Sequence, residues 1–499
     1  ATTTDPYSAA GPEAATQVAG YRRLQPFADT HPKDGYEARN CRRKGFISPD
    51  QVPDFMCGFR SALVVVAQLQ ESIPEGRYLW ELIWPKSAPG AATPATNLFG
   101  KYIVALWWAG AWRKVVIDDR LPVGTHGSFL FPYTERREVW PALLAKAMLK
   151  LLTPLNEHYL FQNPNWCLQT LMGGWLPQTF DVRRSMTTAL QVLRGAQGGG
   201  VGAPGLGMEP LFYCASPGNQ LTGCFASSEA AHERMGISRG TLYLVVQTQP
   251  YEETTLLELV SAAPAWNGPA CDPDLGFPRS PRSEEEGSGQ EGGRDEGVGQ
   301  SFWIPWEQFR TYFAEVHVYR NILDPRWTHS ERWTQPELLH TLDPSQPARP
   351  NEPLTKFLFL NSAKPSRLLL CLTGLPVRAR DMPADQESVL SAGSPNKANS
   401  SLNRKASVVT SHDADSARED LSEVMKPVGC RTPFCVQVSA YDWRSTMPLQ
   451  ALPSFKCAPG IAGCTVISVP AGPSAFYLEI SHMPPEGLFA ILGSCEFAW

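Results

Sequence analysis

Two adjacent stretches of sequence decide the fold: GAWRKVVIDDRLPV over Gly110 to Val123, and REVWPALLAKAMLKLL over Arg137 to Leu152. The first follows another strand-like stretch, KYIVALWWAG, and it is closed by Pro122. Two such runs of apolar and β-branched residues, separated by a glycine, are typical of a β-hairpin. We therefore predict an antiparallel hairpin at this point of the chain.

The second stretch has the spacing of a helix. Its apolar residues recur at intervals of three and four from Trp140 to Leu151, so they share one face. Lys146 and Lys150 fall off that face in this pattern. The sequence therefore predicts a helix that packs its apolar side on the hairpin and leaves both lysines off the packed face.

A further helix is predicted upstream, over Val52 to Leu69. Its sequence, VPDFMCGFRSALVVVAQL, carries apolar groups at roughly helical spacing, and Asp54 is a candidate N-cap. We expect this helix to be buried, with Cys57 close to its start. The tryptophans of this part of the chain are interpreted mainly as core anchors, namely Trp107, Trp108, Trp112, Trp140 and Trp175.

Composition limits the classes of function. The chain has 499 residues, enough for two or three domains, and 43% of them are apolar. A formal net charge of −5 argues against nucleic acid and against an anionic membrane, because both are bound through an excess of Lys and Arg. The longest mostly apolar run, from Ile103 to Trp112, is about half of the ~20 residues that a spanning helix needs.

Cysteine usage and the glycine-rich stretch point to no metal or cofactor. The twelve cysteines form no CxxC pair and no zinc-type Cys/His quartet, so we expect neither a disulfide framework nor structural zinc, and a cytosolic setting. Residues 195–207, GAQGGGVGAPGLG, match neither GxxxxGK[ST] nor a GxGxxG turn between a strand and a helix. We expect a flexible loop there.

Three other stretches lack the apolar periodicity of packed elements. Residues 1–48 predict an extended or poorly ordered lead-in, and residues 278–300 and 380–427 predict insertions without a core, because they are polar and rich in Gly, Ser and charged groups. Between them the chain divides into an α+β region, 49–325, and a region of short β-rich runs, 326–499. We expect the second region to form one antiparallel sandwich.

The order of these motifs resembles the calpain family of cysteine proteases, in which a W-x-x-V-x-I-D-D-x-L-P hairpin precedes a W-x-x-L-L-x-K-A helix. SFWIPWEQFRTYFAEVHVYRN, Ser301 to Asn321, is similar to the calpain segment that closes the protease core. The resemblance implies a papain/calpain-like α+β protease core followed by a calpain-type antiparallel β-sandwich. LMGGWLPQTF, Leu171 to Phe180, and TVISVPAGPSAFYLEISHM, Thr465 to Met483, resemble a branch in which a globin domain and a calmodulin-binding IQ motif follow the calpain-like part.

The resemblance assigns positions to a cysteine-protease site. Such chemistry needs a thiolate, an imidazole base, an Asn that holds the imidazole, and an oxyanion donor. Cys57 lies where the calpain nucleophile belongs, and Gln51, six residues earlier, has the spacing of the oxyanion glutamine. The alternative is that Cys57 is a small buried hydrophobic residue, as free cysteines commonly are.

The remaining catalytic positions depart from the family pattern. The calpain base lies in a G-H-A-Y strand, and the best match here is Gly240-Thr241-Leu242-Tyr243, with Thr241 in place of the histidine. A hydroxyl cannot act as a general base near neutral pH. The Asn of the calpain N-P-W-G turn falls at Ala263. Gln51, Cys57, Thr241 and Ala263 therefore form a degenerate site in which we expect no functional catalytic residue and no cofactor or metal.

Three other side chains are candidates for the missing base and asparagine. His232 lies in the polar stretch SSEAAHERMG and is interpreted as an exposed histidine of a helix or loop. His158 and Asn163 are interpreted as part of a surface connection. The paired acids Asp118 and Asp119 could bind calcium, but no D-x-D-x-D-G loop accompanies them, so we expect a capping role or pairing with an arginine.

Three functional hypotheses follow. The first is an inactive calpain-like module that acts as a structural or scaffolding subunit of a ciliary or flagellar axoneme in the cytoplasm. The family branch implies its partners: other axonemal proteins, and calmodulin through regions outside this chain, with no nucleic acid and no membrane. The second is an active or conditionally active endopeptidase that uses Cys57 with another base such as His232. The third is a domain that docks a peptide in the old cleft without cutting it.

Overall fold

The computed structural model describes a mixed helix and sheet fold in which every described strand pairing is antiparallel. Within the described residues no helix is long and apolar enough to cross a membrane. The described residues are 20–23, 56–72, 81–86, 97, 99–108, 111–123, 130–132, 140–152, 158–194, 211–219, 224–251, 254–261, 266–268, 301–334, 354–373, 434–442, 447–451, 455–457, 462–481, 488–494 and 497–498.

The first part of the chain contains six helices and thirteen strands among these residues. The helices are α1 (Cys57–Ser72), α2 (Trp140–Leu152), α3 (Pro164–Met172), α4 (Met186–Arg194), α5 (Glu229–Arg234) and α6 (Trp306–Tyr312), and a 3-10 helix spans His158–Gln162. The strands are β1 (Gly20–Arg23), β2 (Ile83–Trp84), β3 (Lys101–Trp108), β4 (Ala111–Asp118), β5 (Arg120–Val123), β6 (Trp175–Asp181), β7 (Leu211–Ser216), β8 (Gly218–Asn219), β9 (Cys224–Phe225), β10 (Tyr243–Tyr251), β11 (Thr254–Val260), β12 (Ser301–Pro305) and β13 (Glu315–Asn321).

The predicted hairpin and the helix after it are both present. Strands β3 and β4 pair in the order β2-β3-β4, with Trp107 opposite Trp112 at the tip. Helix α2 packs against both strands, and its side chains share one hydrophobic core with those of α1. Of the tryptophans expected in the core, Trp112 differs: it is 43% exposed, although its ring meets Trp107 edge to face.

The expectation that Lys146 lies off the packed face of α2 is wrong. This side chain is buried, and its Nζ donates to Asp118 Oδ1 at 2.6 Å and to the Arg120 carbonyl at 2.5 Å. A buried ammonium needs such acceptors, and the IDD turn supplies them. Burial alone would raise the pKa of Asp118, but the hydrogen bond and charge of Lys146 outweigh it and hold that pKa below its usual range. Asp118 therefore pairs with a lysine from the next helix rather than with an arginine.

A six-stranded sheet, ordered β12-β11-β10-β7-β13-β6, forms the centre of the protease region. One face packs on helices α1 and α3, with Phe212 and Tyr319 stacked 4.5 Å apart in the same core. The opposite face packs on α4 and α6 through residues such as Val316 and Phe309. The sheet thus separates two cores, and the strand that follows the G-T-L-Y segment lies near its middle.

Only four residues of the predicted lead-in, and none of the predicted insertions, belong to the described residues. In the lead-in predicted over residues 1–48, Gly20–Arg23 form strand β1, which pairs with β5. The rest of that stretch, and the insertions predicted at 195–207, 278–300 and 380–427, lie outside the described residues. The expectations for those segments therefore stay predictions.

The second part of the chain is built of strands. They are β14 (His329–Thr334), β15 (Leu354–Ser362), β16 (Ser366–Thr373), β17 (Phe434–Asp442), β18 (Met447–Ala451), β19 (Phe455–Cys457), β20 (Ala462–Val469), β21 (Gly472–Ser481), β22 (Leu488–Gly493) and β23 (Phe497–Ala498). They form two antiparallel sheets, one ordered β14-β22-β16-β20 and one ordered β18-β17-β21-β15-β23. The calpain-type sandwich arrangement of these sheets remains a prediction.

The first of these sheets packs directly on the protease region. Leu369 and Cys371 of β16 share a hydrophobic cluster with Trp107 of the hairpin and Leu176 of β6. Cys464 Sγ of β20 also lies 3.4 Å from the Leu176 carbonyl. Leu368, Leu369 and Leu370 are buried, so β16 is covered on both of its faces, one of which packs on the protease region.

Candidate active site

Cys57 is the first residue of α1, as the sequence predicted for the nucleophile position. Its side chain is half-buried, and its Sγ lies 3.9 Å from the Gln162 carbonyl at the end of the 3-10 helix. The next residue, Gly58, lies so close to that turn that a Cβ would fall 2.4 Å from the Gln162 carbonyl carbon and oxygen. Only glycine lets α1 approach the turn in this way, since the atoms it would meet belong to the backbone.

Asn163 does not lie on a surface connection, which corrects the sequence interpretation. It is buried and is the N-cap of α3, where its Oδ1 accepts a hydrogen bond from Trp166 N at 3.0 Å. A capping side chain satisfies an amide that the helix leaves unpaired at its first turn. His158 begins the 3-10 helix, and its side chain lies outside the described residues. The helix start with Cys57 thus rests on a rigid, capped turn.

The G-T-L-Y segment packs on α1 one turn beyond Cys57. Ser61 is fully buried, and its Oγ accepts a hydrogen bond from Leu242 N at 2.7 Å and lies 3.4 Å from the Leu242 carbonyl, to which it can donate. Residues four apart on a helix share a face, so Ser61 lies on the Cys57 side of α1. Thr241, the neighbour of Leu242, is buried as well. The fold therefore brings the segment that aligns with the family's histidine motif to the helix that carries Cys57.

Tyr243, the last residue of G-T-L-Y, anchors the segment from the other side. It is buried between Phe302 and Phe313, and its hydroxyl accepts a hydrogen bond from Ser238 N at 2.9 Å. Burial raises the pKa of Tyr243 well above its usual range. The tyrosine is therefore a neutral structural group, and Thr241 is fixed between it and the Ser61 contact.

His232 is buried, so its interpretation as an exposed histidine is wrong. It is 1% exposed, its Nε2 lies 2.9 Å from the Tyr312 carbonyl, and its Nδ1 accepts from Arg239 Nε at 3.2 Å. Burial lowers the pKa of His232, and the charge of Arg239 lowers it further. Both ring nitrogens are thus occupied on the face of the sheet opposite to Cys57. The arrangement makes His232 a structural residue of α5.

Two of the predicted site residues cannot be placed. Gln51, expected to be the oxyanion donor, and Ala263, at the family's asparagine position, lie outside the described residues. Trp266, three positions after Ala263, stacks on Phe302 at 5.0 Å, so the turn that follows β11 returns to the core.

A buried polar network beside the site was not foreseen. His317 of β13 is 2% exposed; its Nδ1 lies 2.9 Å from Thr179 Oγ1, and its Nε2 lies 3.5 Å from Asn165 Nδ2. The Asn165 Oδ1 accepts a hydrogen bond from the Tyr319 hydroxyl. Burial lowers the pKa of His317 to about 4, which fits a neutral ring that donates from Nδ1 to Thr179 and accepts at Nε2. The network fastens α3 to the central sheet.

Glu315 lies at the end of the same network. It is directly opposite Asp181 on β6 and Ser216 on β7, and its Oε2 lies 3.6 Å from His317 Nε2. Burial, together with the nearby charge of Asp181, raises the pKa of Glu315 to about 7. The sequence gives only a weak signal for this pair, namely two acids at the ends of runs that a sheet would bring together.

Within the described residues no group of three or more His, Cys, Asp or Glu side chains could hold a metal ion. Asp118 is bound by Lys146, as described above. What the site offers chemically is a partly exposed thiol at a helix start, on a helix whose next turn holds the segment with the buried Thr241. The role of Ser61 was not predicted, because it is a single polar residue in an apolar helix. Its position four residues after Cys57, on the same side of the helix, could have indicated it.

Comparison with known proteins decides the family. Residues 66–320 match the family described as calpain family cysteine protease, which is 255 of the 499 residues. This chain belongs to the calpain family. The matched range includes the hairpin, helix α2 and the G-T-L-Y segment, and it begins nine residues after Cys57.

Individual relatives fall into two groups. Androglobin of Mus musculus is 38% identical over 108 residues, which cover 21% of this chain and 6% of androglobin. Calpain-7 of Mus musculus is 25% identical over 285 residues, covering 52% of this chain and 30% of calpain-7. The calpain-like protease palB/cpr-8 of Neurospora crassa is 25% identical over 283 residues, covering 54% of this chain and 27% of that protein.

These matches confirm the resemblance to an androglobin-like and calpain-like protein. The chain spans less than a third of the length of each of these relatives. The activity, substrates and partners of the whole protein are therefore matters for proposal.

Proposed function

We propose that this chain is a catalytically inactive calpain-like module that acts as a structural or scaffolding subunit of a ciliary or flagellar (axonemal) assembly. One observation carries the inactivity: the segment that Ser61 holds against the Cys57 helix has Thr241 where the family motif has a histidine. A threonine hydroxyl neither removes the thiol proton nor returns a proton to a leaving amine near neutral pH.

The surrounding histidines support the same proposal. The ring nitrogens of His232 are engaged by Tyr312 and Arg239, and those of His317 by Thr179 and Asn165. Burial lowers the pKa of both rings, so each is suited to a neutral structural role. Neither is arranged as a mobile base for Cys57.

The proposed place and partners rest on the likeness to androglobin and on charge. We propose the cytoplasm, and within it the axoneme, with other axonemal proteins as direct partners and calmodulin bound through regions outside this chain. Nucleic acid and membrane remain unfavourable partners because the net charge is −5. Because the proposed module does not cut peptides, we propose binding as its use.

A peptide-hydrolysis assay tests the inactivity. The full chain, its Cys57→Ala variant and its Thr241→His variant are incubated with fluorogenic calpain substrates, with and without calcium. We expect the wild type and Cys57→Ala to give the same background rate. Turnover by the wild type that Cys57→Ala abolishes would overturn the proposal.

A fractionation experiment tests the structural role separately. Isolated cilia or flagella carrying the tagged chain are extracted with detergent and then with salt. An axonemal subunit should remain with the microtubules after detergent, and Cys57→Ala should remain to the same extent. Full release by detergent alone would contradict the axonemal assignment without bearing on catalysis.

The rival function is an active or conditionally active calpain-like cysteine endopeptidase that uses Cys57. Two observations favour it: Cys57 heads a 16-residue helix and is partly exposed, and two of the relatives are called calpain-like protease and calpain-7. A helix start favours a thiolate. The assay above separates this function from the first, since it requires hydrolysis that depends on Cys57.

A further inference from the structure

Strand β4 presents an unusual outward face. It is the last strand of the β2-β3-β4 sheet within the described part of the chain. Val115 and Ile117 point to the core, whereas Trp112, Lys114 and Val116 alternate with them and are exposed, Trp112 by 43% and Val116 by 42%. The exposed side of β4 therefore carries an apolar, a basic and an apolar side chain at the alternate positions 112, 114 and 116.

The main chain of the same residues points to the open edge. Ala105 N donates to the Leu82 carbonyl at 2.8 Å, so Ala105 turns its peptide groups away from β4. Lys114 lies directly opposite Ala105. In an antiparallel pair, the N–H and C=O groups of two facing residues either both point toward the partner strand or both point away from it. Lys114 therefore turns its N–H and C=O away from β3, and Trp112 and Val116 do the same. Apart from the Val116 carbonyl, which accepts a hydrogen bond from Lys150 Nζ, these groups are a template for a further strand.

The charge around this edge is positive. Besides Lys146, which is paired with Asp118, four cationic side chains lie on β4, on its neighbour β3, or on helix α2 beside the edge: Lys101, Arg113, Lys114 and Lys150. Lys150 Nζ donates to the Val116 carbonyl at 2.6 Å, which brings its charge to the edge itself. The exposed carboxylate of β4, Asp118, is already bound by Lys146. An approaching strand therefore meets a surplus of positive charge.

This positive charge indicates which kind of strand would bind at the open edge of β4. A second copy of β4 would place Lys114 and Arg113 beside another basic strand, and like charges on facing strands are destabilising. An acidic strand gains from the same arrangement. One end of this face of the hairpin already packs on another part of the chain, because Trp107 contacts Leu369 and Cys371 of the sheet ordered β14-β22-β16-β20.

We propose that the open edge of β4 binds an extended peptide of the pattern apolar-x-acidic-x-apolar. Its acidic side chain lies beside Lys114, its apolar side chains lie beside Trp112 and Val116, and its backbone pairs with β4. The inference goes beyond the proposed function, since it holds whether or not Cys57 is catalytic.

Peptide selection on the full chain tests this. A display library of random eight-residue peptides is selected on the wild type and counter-selected on Lys114→Glu, and the winning peptide is synthesised with a fluorophore for anisotropy measurements. We expect enriched peptides to carry Asp or Glu between apolar residues at alternate positions. We expect Lys114→Glu to weaken binding at least tenfold and 0.5 M salt to weaken it by about as much, because the contact is exposed and ionic.

Two further variants sharpen the result. Val116→Pro removes an N–H that faces the open edge and no ladder bond to β3, so it should abolish binding while the melting temperature stays near the wild type. Lys364→Glu, the same charge change on an exposed turn, should bind within twofold of the wild type. The proposal is overturned if the enriched peptides lack acidic residues, if Lys114→Glu and Lys364→Glu act alike, or if Lys114→Glu converts a dimer of this chain into a monomer.

Discussion

Replacing Glu315 with Gln tests how the buried network beside the site is held. Glu315 faces Asp181 across the β6 and β13 pair and Ser216 across the β7 pair, with neutral His317 at 3.6 Å. Asp181 is itself fixed, because its Oδ1 accepts from the backbone N–H groups of the following turn at 2.9 Å. Ionised Glu315 therefore adds a second negative charge to a site that holds one already.

The magnitude follows from the pKa. The pKa of Glu315 rises from 4.5 to about 7 on folding, a change of about 2.5 units, and each unit corresponds to about 1.4 kcal/mol. The full penalty would be about 3 kcal/mol, but 23% of the side chain is exposed, so water relieves part of it and we expect about 1–3 kcal/mol. Because the folded state holds the proton more tightly, wild-type stability is lost as the pH rises from 4.5 to 7.

Thermal unfolding of the full chain between pH 5 and 8.5 measures this effect. Glu315→Gln should match the wild type near the acidic end and become more stable as the pH rises, by about 2–6 °C above pH 7 if the protease region unfolds as a unit. Glu307→Gln, which affects an exposed pair with Arg310, is the matched control and should give no such trend. A variant that is less stable than the wild type at pH 8, or a difference that does not change with pH, would refute the reasoning.

Three other substitutions have defined outcomes. Lys146→Ala should destabilise by about 1–3 kcal/mol in denaturant unfolding, because it removes a buried ammonium that donates to Asp118 and to the Arg120 carbonyl, whereas exposed Lys150→Ala should cost under about 1 kcal/mol; equal losses would contradict the pairing of Lys146. Gly58→Ala should lower the melting temperature, because its Cβ would meet backbone at 2.4 Å, while Gln68→Ala on the same helix should not. Ser61→Ala should cost about 1–2 kcal/mol, because Leu242 N loses its acceptor, and Ser61→Thr should restore most of it; no loss on Ser61→Ala would disprove the anchor.

Local patterns were enough to predict the hairpin, helix α2 and the presence of α1, although α1 spans Cys57–Ser72 rather than the predicted Val52 to Leu69, and Asp54, the candidate N-cap, lies outside the described residues. Alternating and helical apolar spacing report which faces are buried, and those signals are strong at Trp140 and over β3 and β4. The burial of Lys146 was not predicted because helical periodicity identifies only the apolar face of a helix. It does not reveal the hydrogen-bond acceptors that a neighbouring turn provides. The sequence could not show that Asp118 and Lys146, 28 residues apart, would meet.

The site was predictable where family motifs fixed it and not where distant segments meet. Cys57 and the G-T-L-Y segment were aligned by motif, and the fold brings both to α1. The burial of His232 was missed because the residues around it are polar, and its partner, the Tyr312 carbonyl, lies 80 residues away in the sequence. The network of His317 likewise depends on strand pairing that no local pattern specifies.

The central claim is that the segment with Thr241, and not His232, lies beside the helix that carries Cys57. Thiol cross-linking tests it most directly: Thr241→Cys and, in a second protein, His232→Cys are treated with a short bifunctional thiol reagent, and the linked peptides are mapped by mass spectrometry. The account predicts a link between position 241 and Cys57, and none between position 232 and Cys57. A link from position 232, with none from position 241, would contradict it and make His232 the candidate base of an active protease.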